Sequence, residues 1–112
     1  MSDKLNILWT SGDREVALKM VFMYGHNSKL RSWWDEVHLI VWGPSSKLLA
    51  EDGELQMHVE AMRKSGVTFS ACKKCSDEYG VSEKLTELGV DVRYMGEPLT
   101  RLLKDGEKLL TF

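Results

Sequence analysis

Two cysteines separated by two lysines are the residues whose types and spacing point most directly to chemistry. They are Cys72, Lys73, Lys74 and Cys75. The thiolate is the reactive form of cysteine, and a helix N-terminus or a nearby cation lowers the pKa of a thiol. If a helix begins at Lys73, the Cys72 side chain lies at its N-terminus. This arrangement predicts that Cys72 is a nucleophile, that Cys75 is an accessory thiol and that Lys73 and Lys74 stabilise the thiolate.

The same spacing has other interpretations that the residues alone leave open. Pairs with this spacing occur in dithiol oxidoreductases, in metal sites and in sulfur-transfer proteins, and cysteine is also among the most frequently buried residue types. A structural zinc ion needs four ligands. The sequence offers one cysteine pair and three scattered histidines, His26, His38 and His58. We therefore expect no metal and no tightly bound cofactor.

Two glycine-containing turns have backbone N–H groups that could face an anion. Ser11 and Gly12 follow the first apolar segment, and Gly43, Pro44 and Ser45 follow the second. The lysine and second glycine of a phosphate-binding loop are missing after Gly12, so a plain tight turn is the favoured alternative. Glycine permits close backbone approach at either turn. We expect Ser11, Gly12, Gly43 and Ser45 to shape a binding crevice.

The elements that must position these residues follow from hydrophobic periodicity. The segments expected to form strands are residues 4–9, 36–42, 67–71, 90–95 and 108–112. Each gap between them carries apolar residues at helical spacing, and in these helices we expect Met20, Met23 and Met62 to face the core. Strands that alternate with helices predict a mainly parallel, five-stranded sheet with helices on both faces. The fold class is therefore α/β, a three-layer α/β/α domain over residues 1–112.

Such a sheet binds ligands outside the carboxyl ends of its strands. The residues at those ends are Ser11 and Gly12 after the first strand, Gly43 and Ser45 after the second, and the cysteine pair after the third. The sequence therefore places its chemically distinctive residues at one edge of the sheet.

Composition and charge exclude several classes of protein. The chain has 112 residues, 15 Lys and Arg against 17 Asp and Glu, and a net charge of −2. This balance argues against sequence-independent nucleic-acid binding, which needs a basic surface. No apolar run approaches the ~20 residues of a membrane span. The first residues, Met1 to Lys4, show no export signal, so we expect a cytoplasmic protein with reduced thiols.

Five segments taken in order carry a resemblance to a known family. They are NILWTSGD, LIVWGPSSKLLAED, GVTFSACKKCSDEYGV, LTELGVDVRYMG and KLLTF. Across essentially its whole length the chain resembles the DsrE/DsrF-like sulfur-relay proteins, which include the TusD-type carriers. The resemblance implies a five-stranded α/β fold, trimers or hexamers, and a cysteine that carries sulfur as a persulfide. Cys72 matches that position best, whereas Cys75 departs from the single working cysteine of the relay proteins.

A persulfide carrier acting through Cys72 is therefore the leading hypothesis, with sulfur donor or acceptor proteins as partners. One alternative is a dithiol oxidoreductase that cycles Cys72 and Cys75 through a disulfide. Another is a non-enzymatic oligomeric module that binds a small molecule or nucleotide in the crevice. The adjacent Trp33 and Trp34 indicate either a subunit interface, formed by both indoles, or local packing in which only one remains exposed.

Overall fold

One parallel sheet forms the centre of the molecule in the computed structural model, which describes residues 3–112. Its strand order is β4-β3-β2-β1-β5, and every neighbouring pair is parallel. The strands are β1 (Lys4–Trp9), β2 (Glu36–Val41), β3 (Thr68–Cys72), β4 (Asp91–Arg93) and β5 (Lys108–Thr111). The α/β prediction is confirmed. Met1 and Ser2, which open the segment expected to lack an export signal, lie outside the described residues.

Helices connect consecutive strands. Between β1 and β2 a continuous helical stretch comprises α1 (Arg14–Val16), a π-helical segment (Ala17–Phe22) and α2 (Met23–Leu30). The later helices are α3 (Pro44–Glu51), α4 (Gly53–Lys64), α5 (Lys73–Tyr79), α6 (Ser82–Glu87) and α7 (Gly96–Lys104). Within residues 3–112, no helix has both the length and the apolar character needed to cross a membrane.

The main core lies between one face of the sheet and the helices that precede β4. Alternate residues of β1 and β2 point into it, because side chains alternate between the two faces of a strand. The fully buried members from these strands are Ile7, Trp9, Leu39 and Val41, and those from the helices are Val21, Leu49, Leu55, Val59, Met62 and Leu85. This layer supplies most of the apolar burial.

The opposite face of the sheet is covered by α7. From β1 to β4 the chain advances in one direction across the sheet, whereas the step from β4 to β5 returns past β1. Right-handed crossovers place a connection that runs in the opposite direction on the other face. Leu99 and Leu102 of α7 pack there with Leu8, Ile40 and the cysteine pair. The three-layer arrangement thus has one thick helical layer and one thin one.

The prediction for the methionines was wrong at two positions. Met62 is buried, but Met20 and Met23 are about half exposed. The buried face of this helical stretch is formed instead by Ala17, Val21, Phe22, Gly25 and Ser28. At Gly25 the helix lies close to the sheet, since a Cβ there would lie 3.2 Å from Cδ1 of Ile7. Met20 and Met23 lie outside this face and are directed outward.

Candidate functional site

The turn after β1, the turn after β2 and the end of β3 lie side by side at the carboxyl edge of the sheet. Trp9 pairs with Val41, and Val41 pairs with Ala71, so the residues that follow leave the sheet at the same level. The first two turns touch, since a Cβ on Gly12 would lie 3.2 Å from Cβ of Pro44. The structure therefore brings the sequence-predicted residues of these three segments to one edge.

Both cysteines lie at this edge, on the face of the sheet that α7 covers. Cys72 ends β3 and directly precedes α5, and Cys75 lies in the first turn of that helix. Both are free thiols; Cys72 is only 5% exposed, whereas Cys75 is half-buried. Their apolar neighbours include Ile40, Trp42, Met95, Leu99 and Leu102. The thiols thus occupy a largely dry environment in which Cys75 is the more accessible.

The electrostatic environment distinguishes Cys75. Burial raises the pKa of its thiol above the ordinary range, and the interaction with the Cys72 side chain acts in the same direction. The backbone N–H of Gly43 opposes this shift in pKa by favouring the charged sulfur. Cys75 consequently keeps its proton at neutral pH and can present it towards the neighbouring Cys72 sulfur.

The two lysines are occupied by partners other than the thiols. The Lys73 ammonium lies 2.6 Å from Oδ2 of Asp77 and 5.4 Å from the centre of the Tyr94 ring. Lys74 pairs with Glu78 at 3.4 Å, one turn further along α5. Both ion pairs are solvent-exposed and therefore weak. Stabilisation of a thiolate by these lysines remains a prediction, and it requires their ammonium groups to leave these partners.

The other predicted crevice residues have distinct structural roles. Ser45 is fully buried, and its hydroxyl donates to the carbonyl of Trp9 at 2.6 Å. This hydrogen bond connects the end of β1 to the start of α3. The Ser11 hydroxyl accepts from the backbone N–H of Asp13 at 3.0 Å. Gly43 has φ 72° and ψ −139°, a conformation that strongly favours glycine. These residues shape the edge without presenting a second reactive group.

The turn at Gly43 was expected to present backbone N–H groups to an anion, and the Gly43 N–H favours the charged form of the Cys75 thiol. The apolar enclosure of the thiols was missed by the sequence analysis. Trp42 and Met95 were recognised as strand-end residues, but their contact with the thiols depends on α7 covering this face. Among residues 3–112 no three His, Cys, Asp or Glu side chains are grouped so that they could hold a metal ion.

A comparison with protein families decides the relationship of the chain. The model of the DsrE/DsrF-like family matches residues 17–112. The chain belongs to the DsrE/DsrF-like family. This family is generally associated with sulfur relay, and its match includes both cysteines.

Solved structures of similar proteins support the DsrE/DsrF-like fold. The conserved protein of unknown function BT1422 from Bacteroides thetaiotaomicron is 46% identical, with 98% of this chain and 95% of that one covered and a TM-score of 0.96. MTH1491 from Methanobacterium thermoautotrophicum, also of unknown function, is 19% identical over 98% and 99% of the chains, with a TM-score of 0.75. The ychN protein of E. coli is 19% identical over the full length of both chains, with a TM-score of 0.70. No curated protein matches significantly.

A partly buried histidine on the thiol-bearing face of this DsrE/DsrF-like domain makes stability depend on pH. His38 bonds Thr68 and Ser70 through its two ring nitrogens at 2.6 and 2.8 Å. Burial is the main reason that its pKa is lowered from 6.5 to about 4, and Lys4 and Arg93 contribute. Asp91 and Glu107 act in the opposite direction.

Acidification should therefore destabilise the fold. The unfolded chain takes up this proton near pH 6.5 and the folded chain only near pH 4. The contribution of neutral His38 to stability is therefore fully present above pH 6.5 and is lost as the pH falls from 6.5 to 4. We expect His38 to account for a loss of up to about 3 kcal/mol between pH 7 and pH 4. Urea unfolding of the wild type and of His38→Gln checks this. Equal pH dependence in the two proteins would contradict the assignment.

Proposed function

We propose that the protein is a small cytoplasmic sulfur carrier that takes up sulfane sulfur as a persulfide on Cys72. The observation that carries this proposal is the pair of free thiols enclosed together at the carboxyl edge, with Cys75 holding its proton. Membership of the DsrE/DsrF-like family supports the general association with sulfur relay. The assignment of the persulfide to Cys72 comes from its position and burial.

The proposed uptake step is a sulfur exchange that needs no redox partner. The Cys72 thiolate attacks the terminal sulfur of a donor persulfide, a new S–S bond forms, and the S–S bond of the donor breaks. The donor thiolate departs with the electron pair, and Cys72 holds the persulfide. Delivery is the reverse exchange, in which an acceptor thiolate removes the terminal sulfur. Because Cys72 is 5% exposed, bulk reductants should reach its persulfide slowly.

The neighbouring Cys75 thiol assists in this scheme as a proton donor. It contacts Cys72 within the same apolar cluster, and its raised pKa keeps it protonated at neutral pH. A protonated donor beside a sulfur anion stabilises that anion by hydrogen bonding. The Gly43 backbone N–H is a second donor at this pair, and it favours the charged form of Cys75.

Intact mass spectrometry after incubation with glutathione persulfide tests the proposal. We expect the mass to rise by one sulfur atom, and a reducing agent should restore the original mass. Loss of two hydrogen atoms would instead indicate a disulfide and favour the dithiol oxidoreductase, which the contact between the two thiols also supports. An unchanged mass would contradict both functions.

Assembly into trimers or hexamers is part of the proposal. Met20, Met23, Leu30 and Trp33 are exposed hydrophobic side chains on the helical stretch between β1 and β2 or just after it. Trp33 is 55% exposed, whereas Trp34 is half-buried and donates its indole N–H to the Tyr24 hydroxyl at 3.2 Å. Exposed hydrophobic and aromatic side chains of this kind are enriched where a surface contacts another subunit.

The two tryptophans should therefore respond differently to truncation. We expect Trp33→Ala to weaken association by about 2 kcal/mol or more, because exposed aromatic anchors dominate subunit contacts. Trp34→Ala should lower thermal stability instead, since it removes local packing. Sedimentation velocity and thermal unfolding of both variants separate the effects. A wild-type protein that sediments as a monomer at micromolar concentration would refute the assembly proposal.

A further inference from the structure

The sheet has two open edges, formed by β4 and β5. The outer N–H and C=O groups of an edge strand can pair with another chain, and charged side chains on the strand discourage such pairing. β4 has three residues and carries a charged side chain at each end, Asp91 and Arg93. In β5 only Lys108 is charged, and two leucines and a threonine follow it. The edge at β5 is therefore better suited to receive another strand.

The hydrogen bonds to β1 show which main-chain groups of β5 remain open. The N–H of Phe112, directly after β5, donates to the carbonyl of Leu8 at 2.8 Å, and the Phe112 carbonyl accepts from the N–H of Thr10 at 2.7 Å. Successive residues of a strand direct their main-chain groups to opposite sides. Leu109 and Thr111 therefore direct theirs away from β1. Within residues 3–112 no strand lies on that side of β5, so the N–H and C=O groups of both residues are open.

Leu110, between these two residues, adds an apolar side chain to the open edge. Its pairing with Ile7 places it on the face of the sheet that carries the main core. Ile7 is fully buried, whereas Leu110 is 38% exposed. Phe112 packs against the same core and is only half-buried. The apolar layer thus reaches the β5 edge and is partly uncovered there. Water can satisfy the open main-chain groups, but burial of the exposed leucine is favourable only against another apolar surface.

The open groups of β5 match those of a second β5 strand in the antiparallel direction. With a two-fold axis at Leu110, Leu109 lies opposite Thr111 of the second copy, and the reverse pair lies across the axis. Such pairs exchange both of their N–H···O=C hydrogen bonds, so every open main-chain group finds a partner. Leu110 lies opposite its own copy in a non-hydrogen-bonded pair, where side chains approach most closely. Lys108 lies opposite Phe112 of the second copy, so like charges do not meet along the two strands.

From this complementarity we propose that β5 pairs with β5 of a second copy of the chain, so that two sheets continue into one across a two-fold axis. The contact closes after two copies, because both copies use the same strand. It involves neither cysteine and none of the exposed side chains around Trp33. The inference is therefore independent of sulfur transfer and of assembly through Trp33.

A proline at the open edge tests the pairing. Thr111→Pro removes an N–H that points away from β1, and an edge strand tolerates proline when this N–H faces solvent. The symmetric contact loses two hydrogen bonds, so we expect the pairing to be at least about tenfold weaker. Thr111→Ala retains the N–H and is the matched control. In sedimentation velocity over a range of concentrations, the wild type and Thr111→Ala should form particles of twice the mass seen for Thr111→Pro.

Crosslinking tests the register of the two strands. In a full-length chain whose two native cysteines are replaced by serine, Leu110→Cys should give a disulfide-linked dimer under mild oxidation. The reason is that this position faces its own copy at a distance that a disulfide can span. Thr111→Cys faces Leu109 of the second copy instead and should crosslink at least about tenfold more slowly.

Three results would overturn the proposal. They are equal particle masses for Thr111→Pro and Thr111→Ala, equal crosslinking of Leu110→Cys and Thr111→Cys, and a wild-type particle whose mass Leu110→Lys leaves unchanged. The lysine variant brings two ammonium groups together on the axis, so it also serves if thermal unfolding shows that Thr111→Pro does not fold. The twofold difference in mass should persist in a Trp33→Ala background, which separates this contact from assembly through Trp33.

Discussion

Replacing Cys72 by serine should abolish the uptake of sulfane sulfur from glutathione persulfide, whereas Cys75→Ser should still load one sulfur atom per chain. The reason is the asymmetry of the pair: Cys72 lies at the strand end under the apolar cover, and Cys75 keeps its proton and acts on its neighbour. Loss of that donor should slow loading without changing its final extent. The measurement is intact mass as a function of time for the wild type and both variants.

Serine is the appropriate replacement because it retains the size and hydrogen-bonding capacity of cysteine closely enough to preserve the fold. Circular dichroism and thermal unfolding of each variant provide the control for folding. If Cys75→Ser fails to load while Cys72→Ser loads normally, the roles assigned to the two thiols are reversed. If both single variants load fully, sulfur carriage does not depend on a particular cysteine and the mechanism is wrong.

Truncation of Leu39 should cause a large loss of stability. Leu39 is fully buried in β2, the central strand of the sheet, and belongs to the main core. Leucine-to-alanine changes at such positions cost about 2–5 kcal/mol, because apolar contacts are lost and a cavity remains. Urea unfolding of Leu39→Ala measures this difference directly.

Leu30 offers a matched control for that experiment. It is 60% exposed at the end of α2, so Leu30→Ala should change the free energy of unfolding of the monomer by less than about 0.5 kcal/mol. Comparable losses at the two positions would contradict the placement of the core on the helical face of β2. A loss at Leu30 that depends on protein concentration would indicate instead that Leu30 lies in a subunit contact.

Strand positions followed from the sequence, because most strands are short apolar segments bounded by turn residues. The alternating segment at 90–95 forms only the short strand Asp91–Arg93. The expected strand at residues 36–42 corresponds to Glu36–Val41, and the one at 67–71 corresponds to Thr68–Cys72. The outward orientation of Met20 and Met23 could not be predicted in this way. It depends on which face of the helical stretch packs on the sheet, and Ala17, Val21, Phe22, Gly25 and Ser28 occupy that face.

The grouping of the predicted residues at one edge of the sheet followed from the sequence, whereas their function stays a prediction. Proximity of the cysteines to Gly43 follows from parallel strands that end at one edge. The ion pairs of Lys73 and Lys74 depend on side-chain geometry along α5, although their spacing to Asp77 and Glu78 could have revealed them.

Locating the transferred sulfur atom within the chain tests whether Cys72 carries the persulfide. The loaded protein is alkylated under non-reducing conditions and digested, and fragmentation of the peptide containing Cys72 and Cys75 shows which residue carries the additional sulfur. We expect an alkylated persulfide on Cys72 and a simple alkylated thiol on Cys75. An additional sulfur found only on Cys75, or a disulfide between the two residues in place of a persulfide, would contradict it.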